Sequence, residues 1–396
     1  MTANGMTRAK IGVLGAGAMG SGIAQVAAAA GHDVVVVDAH APSIEKARQG
    51  LAKSLAKDVE KGKRTAADAA AVEKRLAFLG GADDLSAFAG CAMVIEAIVE
   101  DLDAKQSAFR RIEHEVAAEC ILATNTSSLS VAGIASACAY PGRVVGVHFF
   151  NPATVLPLVE IVGAITTDTA AVSAARALVD SWGKTTVLAS DTPGFIVNRV
   201  ARPFYGESLR ILEEQIASVA TIDWAMKEIG GFRMGPFELM DLIGNDVNYA
   251  VTKSVFEALG HDPRYRPSVT QRRMVESNRL GRKTQMGYYD YRDGAAKPAP
   301  VTDRALGERI VNRVVAMLIN EAADAVQFGV ASASDVDLAM TKGVNYPKGL
   351  LAWADEIGVS EVFARMQALQ EEYAEDRYRP SALLRSMARE GRRFHA

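Results

Sequence analysis

Lys10-Ile11-Gly12-Val13-Leu14-Gly15-Ala16-Gly17-Ala18-Met19-Gly20 is the stretch that decides the fold. Its first five residues form an apolar strand pattern, and the rest is a GxGxxG turn that opens a helical stretch. Val34 to Val37 then supply a second strand that ends in Asp38, eighteen residues beyond Gly20. In this strand–turn–helix–strand setting each glycine has a mechanical duty. Gly15 permits the tight turn, Gly17 lets the backbone approach a pyrophosphate, and Gly20 lets the helix pack closely on the sheet. The helix start at Ala18 and Met19 offers unpaired N–H groups and a positive dipole end to the diphosphate. Asp38 accepts hydrogen bonds from the adenosine ribose and repels a 2′-phosphate, so the expected cofactor is NAD rather than NADP.

Outward from this turn, strand patterns recur near 10–14, 33–38, 92–96, 120–123, 143–149, 155–161 and 184–188, with helical stretches between them. That alternation is the mark of a parallel sheet with crossover helices. Residues 42–75 are charged and alanine-rich and read as two solvated helices joined at Gly62, either a surface excursion or an arm over a ligand. Past Asp191-Thr192-Pro193-Gly194 the spacing becomes amphipathic and helical. Here Ile196-Val197-Asn198-Arg199-Val200 recurs letter for letter as Ile310 to Val314, and at the same offset of 114 Glu207 matches Glu321, Asp223 matches Asp337 and Asp241 matches Asp355. Arg264-Tyr265-Arg266-Pro267 reappears as Arg377 to Pro380 with one residue deleted. A match of order and spacing this long indicates a duplicated helical domain. The expected fold class is α/β: an N-terminal Rossmann dinucleotide-binding domain (1–190) followed by two tandem mostly α-helical repeats (191–293 and 308–396), joined by a linker at 294–307.

Composition narrows the function classes. With 49% hydrophobic residues in 396, the chain has ample material for cores and is not intrinsically disordered. Lys+Arg 44 against Asp+Glu 47 gives a net charge of −3, which offers no global attraction to nucleic acid or an anionic membrane. Arg8, Lys10 and the apolar run that follows imitate a signal peptide. Five glycines, Ser21 and Gln25 interrupt that run, and it continues into a strand rather than a cleavage site. Cys91, Cys120 and Cys138 are too few and too far apart for a disulfide framework or a CxxC metal site. The expectation is a cytoplasmic protein without a bound metal.

One pair of polar residues can be placed by geometry. If the chain reverses near Thr154 as an antiparallel hairpin, His148 and Glu160, each six residues from the turn, face one another. Directly opposed residues have Cβ atoms about 5 Å apart, so the carboxylate can bond one imidazole nitrogen, fix its tautomer and stabilise the imidazolium. That is a base with its orienting partner. A histidine satisfied by a neighbouring acid on an edge hairpin is the other reading the spacing allows.

Several further motifs bear on that choice. Glu96-Ala97-Ile98-Val99-Glu100 with Lys105, Asn125-Thr126-Ser127-Ser128-Leu129, Val147-His148-Phe149-Phe150-Asn151-Pro152, Leu158-Val159-Glu160 and Asp191-Thr192-Pro193-Gly194-Phe195-Ile196-Val197-Asn198-Arg199 accompany the glycine turn. In order and spacing, over about residues 9–292, these resemble the L-3-hydroxyacyl-CoA dehydrogenases. The copy from 308 resembles the duplicated C-terminal domain of the longer members. The resemblance implies NAD-dependent oxidation of L-3-hydroxyacyl-CoA to 3-ketoacyl-CoA, with His148 as general base and Glu160 as its partner. It implies that Ser127 and Asn198 touch the substrate's 3-oxygen or thioester region, and that Glu100, Lys105, Ser127, Asn151 and Lys283 contact NAD. Lys53, Lys57, Lys61, Lys63 and Arg64 are candidates for the CoA phosphates by charge, Lys53 and Lys61 foremost, although a solvated helix face explains them equally well. Leu156-Pro157 departs from the family's usual Met-Lys pair.

A β-hydroxyacid dehydrogenase of the 6-phosphogluconate type is the alternative enzyme, but it uses a helical lysine base, and no comparable lysine motif is seen. A non-catalytic dinucleotide sensor is the third reading. The second helical copy keeps Asn312 but has no dinucleotide domain of its own, and its ending, Arg393-Phe394-His395-Ala396, shows no counterpart of Gly287-Tyr288-Tyr289-Asp290-Tyr291. It is expected to be structural, standing in for the partner subunit so that the chain is a monomer, with a homodimer through another surface as the alternative.

Overall fold

The computed structural model describes residues 8–81 and 84–395, and the chain divides into two compact units, Met1–Thr192 and Pro193–Ala396. In the first unit, eight strands form one sheet: β1 Lys10–Leu14, β2 Asp33–Asp38, β3 Leu76–Gly80, β4 Met93–Glu96, β5 Ile121–Thr124, β6 Val144–Phe149, β7 Leu158–Gly163 and β8 Thr185–Ser190. Their order is β3-β2-β1-β4-β5-β6-β7-β8, and every pairing is parallel except β6 with β7. The central strands are valine-rich and buried on both faces because helices cover both sides of the sheet.

Among the described residues, six α-helices belong to this unit: α1 Ala18–Ala29, α2 Ala41–Glu60, α3 Ala66–Lys74, α4 Leu102–Glu115, α5 Val131–Ala135 and α6 Thr169–Ser181. On α2, Ile44, Ala47, Leu51 and Leu55 recur at helical spacing and join the sheet's core, while Lys53, Lys57 and Lys61 point to solvent. This helix is therefore part of the body of the unit, with one basic face. Strand β3 was not anticipated. Leu76-Ala77-Phe78-Leu79-Gly80 carries no β-branched residue and sits on the sheet edge with most of its side chains exposed, so neither composition nor alternation betrays it.

The second unit is helical: α7 Val197–Val200, α8 Arg202–Glu213, α9 Val219–Trp224, α10 Pro236–Ile243, α11 Asn245–Ala258 and α12 Val269–Glu276 in the first copy. The second copy supplies α13 Arg304–Gln327, α14 Ala333–Gly343, α15 Leu350–Ile357, α16 Val359–Tyr373 and α17 Ala382–Glu390. Helix α13 starts before residue 308, inside the expected linker, and both copies lie in the one unit. They meet through a reciprocal exchange of charges. Arg199 Nε donates to Glu321 at 2.7 Å, and its counterpart Arg313 Nε donates to Glu207 at 2.6 Å. Tyr265 OH reaches Glu321 at 2.5 Å and Tyr378 OH reaches Glu207 at 2.7 Å. Arg264 and Arg377 complete the two sets at 3.1 and 3.3 Å. Both glutamates are fully buried. Phe232 and its counterpart Tyr346 stack edge to face across the same seam at 5.0 Å.

The second copy ends as the first one does, contrary to the expectation from its letters. Phe394 and His395 donate their backbone N–H groups to Asp355, as Tyr288 and Tyr289 do to Asp241. His395 Nε2 lies 2.8 Å from Asp337, where Tyr289 OH meets Asp223. The counterpart of the Gly-Tyr-Tyr segment is thus present. It was hidden because the backbone and one polar side-chain tip make the contacts, so a histidine serves in place of a tyrosine. Among the described residues no helix is long and apolar enough to cross a membrane, and no group of three or more metal-ligating side chains is found.

Candidate active site

The parallel strands β1, β4, β5 and β6 all end at one edge of the sheet, and the strand order reverses between β1 and β4, where the chain crosses over from β3 to start the other half. Ligands of open α/β sheets bind in that crevice. Gly15 has φ +107°, and a Cβ there would stand 2.5 Å from the Ala97 carbonyl; a Cβ on Gly20 would stand 1.9 Å from the Gly15 carbonyl. Both must be glycine. A Cβ on Gly17 would meet nothing within 4 Å, so this backbone faces open space that a diphosphate can approach. A cleft of about 590 Å³ opens beside it, lined by Leu14, Gly15, Gly17, Asp38 and Ser43, by Ala97 and Ile98 just past β4, and by Ala104, Ala108 and Arg111 of α4. Asp38 is held in place by the N–H groups of Ala16 at 2.6 Å and His40 at 2.8 Å. Glycine turn, cleft and acid together fit an adenine dinucleotide.

Along the same edge, the antiparallel register of β6 and β7 sets His148 opposite Glu160, and Nδ1 lies 2.6 Å from Glu160 Oε2. The Glu160 side chain is fully buried and that of His148 only 7% exposed. The Phe150 ring lies 4.5 Å from the imidazole, and Asn125 accepts the Phe149 N–H, tying the ends of β5 and β6 together. Asn151 is exposed at the start of the connecting loop. That loop is stapled by Lys184, whose Nζ donates to the carbonyls of Ala153 at 2.5 Å and Leu156 at 2.8 Å. Burial of this lysine pulls its pKa down.

Between β4 and β5 sits a network that the sequence only partly revealed. Glu96, fully buried, accepts from Ile98 N, Lys105 Nζ and Thr124 Oγ1. Lys105 is 1% exposed and spans Glu96 at 2.6 Å and Glu100 at 3.3 Å. Its ammonium bridges these two carboxylates. Glu100 in turn accepts from Thr126 Oγ1, Ser127 N and Ser128 N, which fixes the loop that carries Ser127. Burial raises the Glu100 pKa, but Lys105 and these donors outweigh it, and the carboxylate titrates below its ordinary range. The signal for Glu96 was an acid ending an otherwise apolar strand. Asp191, for which the sequence offers no role beyond its motif, accepts from Val131 N, Ala132 N and Ser130 Oγ and so caps α5.

Asn198 and Lys283 belong to the helical unit. Asn198 lies half-buried on α7, and the exposed Lys283 pairs with Asp246. Lys53 and Lys61 are exposed on and just past α2.

A doubly wound sheet, a glycine turn at its crossover and an acid closing the second strand define a dinucleotide-dependent dehydrogenase of the Rossmann class. Residues 10–192 match the NAD binding domain of the 3-hydroxyacyl-CoA dehydrogenases, and the C-terminal domain of the same family matches twice, over 194–291 and 310–394. The chain belongs to the 3-hydroxyacyl-CoA dehydrogenase family and is an NAD-dependent oxidoreductase. It is 38% identical to a 3-hydroxyadipyl-CoA dehydrogenase of Escherichia coli K12, over 96% of this chain and 97% of that one. It is 40% identical to a 3-hydroxybutyryl-CoA dehydrogenase of Bradyrhizobium diazoefficiens, over 74% of this chain and 97% of that one. The crystal structure of a 3-hydroxybutyryl-CoA dehydrogenase from E. coli K12 superposes with a TM-score of 0.91 at 36% identity, covering 97% of this chain and 98% of that one.

Proposed function

We propose that this chain oxidises L-3-hydroxyacyl-CoA thioesters with His148 as general base and Glu160 as its orienting carboxylate. The buried 2.6 Å contact between the two carries the reading. With Nδ1–H donated to Glu160, Nε2 is the basic nitrogen that takes the 3-hydroxyl proton, and the carboxylate stabilises the imidazolium that results. Bound NAD supplies the acceptor for the hydride leaving C3. Gly15, Gly17, Gly20 and the start of α1 hold its diphosphate, Asp38 its adenosine ribose, and Glu100, Asn151 and Lys283 contribute further contacts. Ser127 and Asn198 bind the 3-oxygen or thioester region, and Lys53 and Lys61 meet CoA phosphates. In the reductive direction the imidazolium returns the proton. The relatives' names span a short neutral acyl chain and a six-carbon dicarboxylic one, and this chain takes the 3-hydroxyacyl-CoA class to which both belong.

Steady-state NADH oxidation with acetoacetyl-CoA tests this. His148→Ala should lower kcat by about 10²–10⁴. Near-normal turnover of that variant would end the proposal.

We further propose that the second helical copy takes the place of a partner subunit, leaving the chain a monomer that works in the reducing cytoplasm. The reciprocal Arg199–Glu321 and Arg313–Glu207 pairs support this, since they have the symmetry of an isologous dimer within one chain. Light scattering should give one chain mass. A dimer that separates when the α8–α13 face is altered would refute it.

A further inference from the structure

The helical unit buries five arginines, and four of them meet a carboxylate: Arg199 and Arg264 at Glu321, Arg313 and Arg377 at Glu207. Arg202 is the exception. It is 7% exposed, and its partners are all neutral: Nε donates to the Asn198 carbonyl at 2.7 Å, Nη1 to Thr252 Oγ1 at 3.2 Å, and the Tyr205 ring lies 5.0 Å from its guanidinium. Of five N–H groups, two are spent on protein acceptors. Nη2 takes none. Burial pulls the Arg202 pKa down, opposed by the hydroxyls of Tyr205 and Tyr346. The duplication supplies an internal control: the counterpart of Arg202 at the same offset is Ala316, so the copied fold does not require a cation there.

A buried cation without an anion is costly, and the cost is relieved when an anion arrives. The Arg202 guanidinium stands beside Asn198, four residues back in the chain, because its Nε donates to the Asn198 backbone carbonyl at 2.7 Å. Resting on the reading that Asn198 holds the substrate's 3-oxygen region, we propose that Arg202 selects 3-hydroxyacyl-CoA substrates whose acyl tail ends in a carboxylate, by taking that carboxylate on its guanidinium. Guanidinium and carboxylate match as a planar fork, which a neutral alkyl end cannot replace. The nearness of the guanidinium to Asn198 favours a short dicarboxylic chain.

The test compares 3-hydroxyadipyl-CoA with 3-hydroxyhexanoyl-CoA, equal in length and differing in the terminal carboxylate, on the full chain with NAD. The unaltered protein should have the higher kcat/KM for the dicarboxylic thioester. Arg202→Met should lower the ratio of the two kcat/KM values about a hundredfold, as expected for the loss of a charge-assisted hydrogen-bonded pair, and Arg202→Lys should fall between. A ratio that Arg202→Met leaves unmoved overturns the proposal while leaving the parent activity standing; inactivity of the unaltered chain on both thioesters overturns the two together. Calorimetry on the unaltered protein needs no variant to fold: adipyl-CoA should bind more tightly than hexanoyl-CoA, and equal affinities refute the assignment.

Discussion

Glu321 is the residue on which the seam between the helical copies can be tested hardest. It is fully buried on α13 and accepts from Arg199 Nε at 2.7 Å, Tyr265 OH at 2.5 Å and Arg264 Nη1 at 3.1 Å. In Glu321→Ala, Arg264 keeps Asp324, but Arg199 loses its carboxylate and Tyr265 its acceptor. Removing one partner of a buried pair costs about 3–5 kcal/mol, chiefly because the other charge is left uncompensated. At roughly 2–4 °C per kcal/mol for a unit of this size, the transition of the helical unit should fall by on the order of 10 °C in scanning calorimetry. The diagnostic variant is the apolar double, Arg199→Met with Glu321→Met. Because both charges leave together, it should recover most of the loss. A shift below about 2 °C for Glu321→Ala, or a double variant no more stable than the single one, would refute the claim that these charges hold the copies together.

Three further outcomes follow from the first unit. Asp38→Ser should raise KM for NAD and improve use of NADPH, read as the ratio of kcat/KM values; an unchanged preference would show that Asp38 does not face the ribose. Lys184→Met should loosen the loop that carries Asn151 and raise KM more than it lowers kcat, with partial rescue by Lys184→Arg; equal loss in both constants in Lys184→Met would count against a positioning role. Glu100 titrates below its ordinary 4.5, so its contribution to stability is complete above that pH and is lost as pH falls through the lowered folded value. Urea titrations below pH 4.5 should show that loss in the unaltered chain and a flatter profile in Glu100→Gln.

What could be read from the residues follows their physical character. The doubly wound sheet was legible because its central strands are apolar on both faces and its glycine turn has no substitute. The facing of His148 and Glu160 was legible because a hairpin fixes partners by distance from its turn. Features resting on a single polar tip or on burial were not. Nothing in the local sequence marks Lys105 as one of the most buried side chains of its unit, or Arg202 as a cation without an acid. His395 in the role of Tyr289 escapes comparison by letter, since the shared quantity is a hydrogen-bonding atom at one point in space. Strand β3 escaped because an exposed edge makes few demands on composition.

The exchange of arginines and glutamates between the copies has a consequence for the chain in dilute solution. Two faces joined by a short covalent segment see each other at an effective concentration fixed by that segment, so their union does not weaken as protein becomes scarce. Only the first copy follows a dinucleotide unit, so each such union serves a single catalytic centre, and its twin is released to change wherever the chemistry makes no demand. Ala316, where the first copy has Arg202, is a change of that kind, whereas His395 keeps the contact that Tyr289 makes.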